Sequence, residues 1–369
     1  MKILITGANG FVGKNLLVGL KQAGYNSADL LCYDVDNTEE QLADWVRQAD
    51  FVVHLAGVNR PKNVDEFKTG NVDLTKRLCD MLLAGKKSPI LISSSIQVVL
   101  DNPYGASKLG AEMALEEYAD KGGTAIVFRL PNVFGKWCRP NYNSAVATFC
   151  YNISHDLPIT INNRDSEVWL VYVDDVVTSI VDSIAFQWKR GCYRKEVEPV
   201  LHTTVGELAD RIYEIRANRE TKVLPDLSDY LTKCLYSTYL SYLDEDNFVY
   251  QLDAKHDVRG WLAELIKSKQ FGQMFVSVTK PGITRGNHYH NSKVEKFIVI
   301  SGSGVIRLRY IRSDDVIEYK VSGEKLQVVD IPPGFTHSIE NTGDCDLITL
   351  FWANEMFDPN KTDTYFEKV

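Results

Sequence analysis

The sequence predicts an α/β domain on a doubly wound parallel sheet, followed by a smaller all-β domain of the jelly-roll barrel type. Three observations predict it. Short apolar runs alternate with helical periodicity in the first half of the chain. A glycine turn directly follows the first apolar run. Beyond about residue 252 the helical segments give way to closely spaced β-rich runs. A chain of 369 residues is too long for one ordinary core and suits two.

Lys2–Thr6, Leu30–Tyr33, Phe51–Leu55, Pro89–Ser93 and Thr124–Phe128 are predicted strands, apolar enough to be covered on both faces. Between them, Gly13–Ala23 and Leu109–Ala119 carry apolar residues three or four apart and predict helices. A further helix is predicted over Thr204–Arg216, with Thr204 as N-cap and Glu207 reaching back to it. The stretch Leu224–Asp246 contains Pro225 and several acidic and Tyr residues, and the junction is expected at its end, giving domains 1–247 and 248–369. Met274–Thr279, Lys296–Ile300, Val305–Tyr310, Val316–Val321, Gln327–Ile331 and Asp346–Trp352 are the expected barrel strands, divided by Gly, Pro, Asn and Asp turns.

Hydrophobic content of 44% with 24% charged residues is the composition of a soluble globular protein. The net charge of −8 argues against nucleic acid or an anionic membrane as the main partner. It does not exclude an anionic small molecule, because backbone N–H groups or a few cations outweigh the global sign locally. Seven cysteines without a CxxC form a reduced, cytosolic pattern. Ile3–Ile5 already begins a strand, so no targeting segment is expected, and no apolar stretch approaches the roughly 18 residues of a membrane span. A cytoplasmic protein without membrane insertion is expected.

Thr6-Gly7-Ala8-Asn9-Gly10-Phe11-Val12-Gly13 joins a predicted strand to a predicted helix. Glycines at 7, 10 and 13 allow a tight turn and close approach of a pyrophosphate, which then rests on the helix N-terminus. Tyr104 and Lys108 stand four apart on one helix and share a face. A phenol with an ordinary pKa near 10 is a poor acid or base at neutrality, and a neighbouring ammonium is expected to favour the phenolate. Ser95, the last of three serines at a strand end, can hydrogen-bond the same reacting oxygen.

With these residues the chain resembles the extended short-chain dehydrogenase/reductases, of Rossmann type. His54-Leu55-Ala56-Gly57, Arg129-Leu130-Pro131-Asn132-Val133-Phe134-Gly135 and Tyr172-Val173-Asp174-Asp175 add to the likeness, in the right order. The resemblance implies Tyr104 as general acid, Lys108 as ribose contact and pKa modulator, and Ser95 as carbonyl-orienting donor. It implies a dinucleotide along Gly7, Asn9, Gly10, Phe11, Val12, Gly13, Leu55, Ala56 and Gly57, and a sugar nucleotide near Ser95, Asn132 and Lys136. One departure is that only nine positions separate Ser95 from Tyr104, shorter than in most relatives. Asp34, at the end of the second strand, can accept a ribose 2′-hydroxyl and favours NAD(H), or it can simply end a strand.

Downstream, Gly282-x5-His288-x-His290-x4-Glu295-x6-Gly302 is followed by Pro332-x-Gly334-x2-His337-x3-Asn341. Three imidazoles and a carboxylate form a ligand set suited to Zn, Fe, Mn or Ni, with Zn the metal expected. His288 and His290 share a strand face by period two. Both motifs resemble the cupin signature, with Leu326 standing where a glycine is the rule. Asp257–Glu264 and Arg285-Gly286-Asn287-His288-Tyr289 also resemble the dTDP-sugar 3,5-epimerases, themselves cupins. There the proton-abstracting base falls on His288, which is also the first metal ligand; ligation is favoured and the base is unassigned. The metal either stabilises an enediolate or is structural.

The fusion narrows the substrate. Gly135–Ser144, Asn102-Pro103-Tyr104-Gly105, Tyr236–Leu243 and Asn354–Asn360 resemble a narrow group of bifunctional capsular polysaccharide enzymes. The resemblance implies that the cupin epimerises carbon 3 of a UDP-2-acetamido-2,6-dideoxy-4-hexulose. The reductase domain then reduces the 4-keto group with NADP(H), giving the L-talo sugar that precedes N-acetyl-L-fucosamine. A homodimer is expected. Two other readings stand beside it: a reductase whose cupin is a metal-binding dimerisation module, and a non-enzymatic NAD(P)H sensor.

Overall fold

In the computed structural model, which describes residues 1–369, the apolar runs near the N-terminus join one sheet. Its strands are β1 (Ile3–Thr6), β2 (Leu30–Tyr33), β3 (Phe51–His54), β4 (Ile90–Ser95) and β5 (Thr124–Leu130). Next in the chain come β6 (Asn132–Phe134), β7 (Glu167–Tyr172), β8 (Gly191–Lys195) and β9 (Leu201–Thr204). The main sheet has the order β2-β1-β3-β4-β5-β8, with every neighbouring pair parallel; β6-β7-β9 form a small separate sheet. Successive connections leave β1 in opposite directions, so a topological switch point lies between β1 and β3.

Helices cover both faces, which is why the central strands are apolar on both sides. The helices along the chain are α1 (Phe11–Gln22), α2 (Glu39–Gln48), α3 (Asp65–Phe67), α4 (Leu74–Leu83), α5 (Pro103–Asp120), α6 (Ala145–Ser154), α7 (Val173–Ala185), α8 (Val205–Thr221) and α9 (Tyr230–Leu240), with α1 and α7 on one face of the main sheet and α2, α4 and α5 on the other. Ile3, Ile5, Phe51 and Val53 pack toward Leu16 of α1 and Ile180 of α7. Leu4, Val52 and Ile92 pack on the opposite face toward Leu42, Leu78 and Leu115.

Helix α5 begins well before its apolar periodicity does. The Asn102 side chain accepts from the Gly105 N–H at 2.8 Å, and Pro103 occupies the first turn. The cap predicted for α8 is present: the Glu207 N–H donates to Thr204 Oγ1, and Thr204 N–H to the Glu207 carboxylate.

The chain divides into two compact units. One contains residues Met1–Ile212 and Cys234–Leu243; the other contains Tyr213–Lys233 and Asp244–Val369. The second unit carries β10 (Ala254–Asp257), β11 (Gly260–Ser268), β12 (Gly272–Thr279), β13 (Thr284–Tyr289), β14 (Glu295–Ser301) and β15 (Ser303–Tyr310). It continues through β16 (Val316–Ser322), β17 (Val328–Ile331), β18 (Phe335–Asn341), β19 (Leu347–Ala353) and β20 (Tyr365–Phe366). They form antiparallel sheets of order β10-β11-β12-β19-β14-β17 and β16-β15-β18-β13-β20, with Phe297, Ile306, Ile339 and Phe351 in the core between them. This is the all-β barrel architecture expected from its short, turn-divided strands. No helix is long and apolar enough to cross a membrane.

Candidate active site and metal centre

The glycine turn follows β1 at the switch point. Gly7 has φ +71°, and a Cβ there would lie 2.7 Å from the Ala56 nitrogen, so only glycine fits. Gly10 is the N-cap of α1, whose first turn holds no acidic residue, leaving its N–H groups to an anion. Gly10, Phe11, Val12 and Gly13 line a cleft of about 460 Å³, with Leu55, Gly57, Ser95, Tyr104, Lys108 and Asn132 around it. Asn9 donates its N–H to the Asp34 carboxylate at 2.8 Å, and Val35 N–H donates to the other oxygen at 2.9 Å. Asp34 thereby holds the glycine turn onto the end of β2.

His54 closes the floor. Its ring is 2.6 Å from Thr6 Oγ1 and 2.9 Å from Thr75 Oγ1, and burial lowers its pKa to about 3. The imidazole is neutral and ties β1, β3 and α4 together.

Strand β4 and helix α5 bring the predicted triad to one wall of the cleft. The buried Lys108 ammonium donates to the Ser93 main-chain oxygen at 3.0 Å. Gly57 makes room for it, since a Cβ there would lie 3.3 Å from Lys108 Nζ. Burial lowers the Lys108 pKa to about 8, and the charge of Glu112 works in the other direction. Burial pushes the Tyr104 phenol up, with the Ser95 hydroxyl beside it working downward. This differs from the expected depression by Lys108. The ammonium is 5.9 Å from the centre of the Tyr104 ring and engaged with Ser93, so desolvation of the phenol wins and Tyr104 keeps its proton.

Asn132 lines the cleft and donates to the Trp169 carbonyl at 3.1 Å, while the Lys136 ammonium is paired with Asp174 at 2.6 Å. Two features were not visible by sequence reasoning. Arg139 and Tyr142 line the cleft, the guanidinium 5.0 Å from the ring centre. Glu112, only 1% exposed, accepts from Ser94 Oγ at 2.5 Å and from Arg129 Nη2 at 2.7 Å. Its place four residues beyond Lys108 was a signal; its pairing with a residue of β5 was not.

In the second unit His288 of β13 lies opposite His337 of β18, and His290 and Glu295 flank the turn into β14. One ligand atom from each of the four lies within 4.8 Å of all the others. His290 Nε2 and His337 Nε2 are each 3.4 Å from Glu295 Oε2. Burial opposes the charge on Glu295, but the two imidazoles outweigh it and hold the carboxyl below the usual range. Burial and the neighbouring His337 lower the His288 pKa to about 4, leaving a neutral ring with a lone pair. His290 Nε2 and both His337 nitrogens are buried without a hydrogen-bond partner. Orphaned buried nitrogens converging on a carboxylate fit a divalent metal that takes N and O ligands.

Residues 255–365 match the polysaccharide biosynthesis C-terminal domain. The chain is 45% identical over 367 residues to a UDP-2-acetamido-2,6-beta-L-arabino-hexul-4-ose reductase from Pseudomonas aeruginosa, covering 99% of this chain and 98% of that one. A crystal structure of the capsular polysaccharide assembling protein CapF from Staphylococcus aureus is 49% identical, with a TM-score of 0.91 and full coverage of both chains. A UDP-glucuronic acid 4-epimerase from Bacillus cereus in complex with NAD, 20% identical with a TM-score of 0.55 over 66% of this chain and 96% of its own, shares the fold. Residues 3–187, which contain the glycine turn and the Ser95, Tyr104 and Lys108 wall, match a single family, and the chain belongs to it: the NAD dependent epimerase/dehydratase family.

Proposed function

We propose that the N-terminal unit reduces the 4-keto group of a UDP-2-acetamido-2,6-dideoxy-hexulose, and that the C-terminal unit first epimerises carbon 3 of the same sugar. The observation that carries the reduction is the convergence of Ser95, Tyr104 and Lys108 on the cleft beside the glycine turn. The full-length likeness to a hexul-4-ose reductase and to CapF supports the substrate class.

A nicotinamide dinucleotide, when bound, supplies the hydride to carbon 4. Gly7, Gly10 and Gly13 give its pyrophosphate access to the start of α1. Lys108 holds the ribose. Tyr104, still protonated, donates its phenolic hydrogen to the carbonyl oxygen as Ser95 orients that oxygen. NADPH is the cofactor in this reading and NADH the alternative; their ratio of kcat/KM separates them.

Carbon 3 is acidic only while carbon 4 is a ketone, so epimerisation precedes reduction. His288, His290, Glu295 and His337 hold the metal, zinc in this reading, which when bound polarises the sugar's oxygen. A second reading, reductase with a non-catalytic C-terminal unit, is favoured by the relative's name, which speaks of reduction alone. An assembled acid and ammonium at the cleft speak against a mere dinucleotide sensor. The same reading takes the protein as a cytoplasmic homodimer, which sedimentation tests.

The deciding experiment is NMR of the UDP-keto-sugar incubated in deuterated water, with and without NADPH. Deuterium at carbon 3 without cofactor, and a reduced L-talo product with it, are expected. Reduction without deuterium at carbon 3 supports the second reading, and no reduction overturns both.

A further inference from the structure

The C-terminal segment runs across the elements that carry the metal ligands. Phe366 and Tyr365 of β20 pair with His288 and Tyr289 of β13. Glu367 N–H donates to the Asn287 carbonyl at 3.0 Å, and its own carbonyl accepts from Thr336 Oγ1, next to His337. Arg309 clamps the far end through the Glu367 carboxylate and the Lys368 carbonyl, both at 2.7 Å.

Asp363 makes the closest contacts. Its carboxylate accepts the backbone N–H groups of Asn291, Ser292 and Lys293 at 2.9, 2.7 and 2.9 Å, and the Ser292 hydroxyl at 3.0 Å. Those residues form the turn between His290 and Glu295. The Asp363 main-chain oxygen lies 2.5 Å from His290 Nδ1. A carbonyl only accepts, so Nδ1 carries the hydrogen and Nε2, buried and without a partner, offers its lone pair to the cluster.

We propose that the segment Asp363–Lys368 is a latch on the metal centre and that Asp363 is its positioning residue. Its carbonyl sets the His290 tautomer, and its carboxylate sets the turn that spaces His290 from Glu295. Through β20 and Glu367 the same segment braces the strands bearing His288 and His337. Order at the C-terminus and retention of the metal are therefore coupled. The inference rests on reading the four-residue cluster as a metal centre.

The test uses the full-length chain, Asp363→Ala, Asp363→Asn and a chain ending at Lys361. Each is loaded with zinc, and release into excess chelator is timed. Partners of this kind change metal affinity by about 10–100-fold, so release from Asp363→Ala and from the shortened chain is expected to be at least tenfold faster. Asp363→Asn, which keeps an acceptor oxygen, falls between. Nitrogen-15 histidine NMR of the metal-free proteins gives a readout independent of loading. His290 is Nδ1-protonated in the parent and mixes tautomers in the shortened chain, which lacks the Asp363 main-chain oxygen, while an unchanged His256 signal reports an intact fold. Zinc release within about twofold of the parent, with the tautomer preserved, overturns the latch. A parent chain that takes up no zinc overturns the metal centre instead, and the tautomer then decides the role of Asp363 alone.

Discussion

Lys108 Nζ donates to the main-chain oxygen of Ser93 at 3.0 Å, tying α5 to β4 where both present side chains to the cleft. The bond keeps the ammonium off the phenol of Tyr104, and it explains why burial, and not the positive charge, decides the phenol's protonation. A protonated Tyr104 suits a reductase, since ketone reduction consumes one proton at oxygen for each hydride at carbon.

Tyr104→Phe removes that proton and nothing of the cofactor's pyrophosphate site. Turnover is expected to fall by about 10²–10⁴-fold, the usual worth of a positioned general acid. Affinity for the dinucleotide, measured by fluorescence, stays within about threefold, well under that loss. Undiminished turnover in this variant would remove Tyr104 from the mechanism.

Lys108 carries a pH signature. Its pKa is lowered by burial to about 8, so its charge is complete below that value and disappears as pH rises through it. The profile of kcat/KM is expected to fall on its alkaline side near pH 8. Glu112 acts to raise the same pKa, so Glu112→Gln moves the falling limb to lower pH. An alkaline limb unmoved by this substitution separates Glu112 from the lysine's charge.

Much of this was legible in the chain itself, for physical reasons that differ by element. Buried parallel strands leave continuous apolar runs, so β1 to β5 were found with small errors at their ends. Tyr104 and Lys108 follow the helical period, and the clustered His288, His290, Glu295 and His337 follow the strand period and its turns. Tertiary facts left no local trace. The direction of the Tyr104 shift depends on how deeply a fold buries a phenol. Asp363 meets the 291–293 turn across some seventy positions of sequence, with no periodicity to announce it.

Removing the metal separates the two activities proposed for the chain. Chelation, or His290→Ala, is expected to abolish deuterium entry at carbon 3 of the keto-sugar, read by NMR. Hydride transfer to a sugar already epimerised, read by loss of NADPH, is expected to stay within about twofold, because no metal ligand comes from the reductase wall. Carbon-3 exchange that survives complete metal removal assigns the proton transfer to side chains alone.

His54 ties acid stability to the floor of the cleft. The folded ring resists a proton until about pH 3, because burial between Thr6 and Thr75 penalises the cation. The unfolded chain accepts that proton near pH 6.5. Between these values the unfolded state binds the extra proton, so this contribution is complete above pH 6.5 and is lost as pH falls toward 3. The loss amounts to roughly a few kcal/mol. His54→Gln keeps a polar side chain between the two threonines and removes the titration. Urea midpoints of the N-terminal unit, followed through dinucleotide fluorescence, should fall between pH 7 and 4.5 in the parent and change much less in the variant. His288 titrates in the other unit and is left untouched, so an equal slope in both proteins would place the acid sensitivity away from His54.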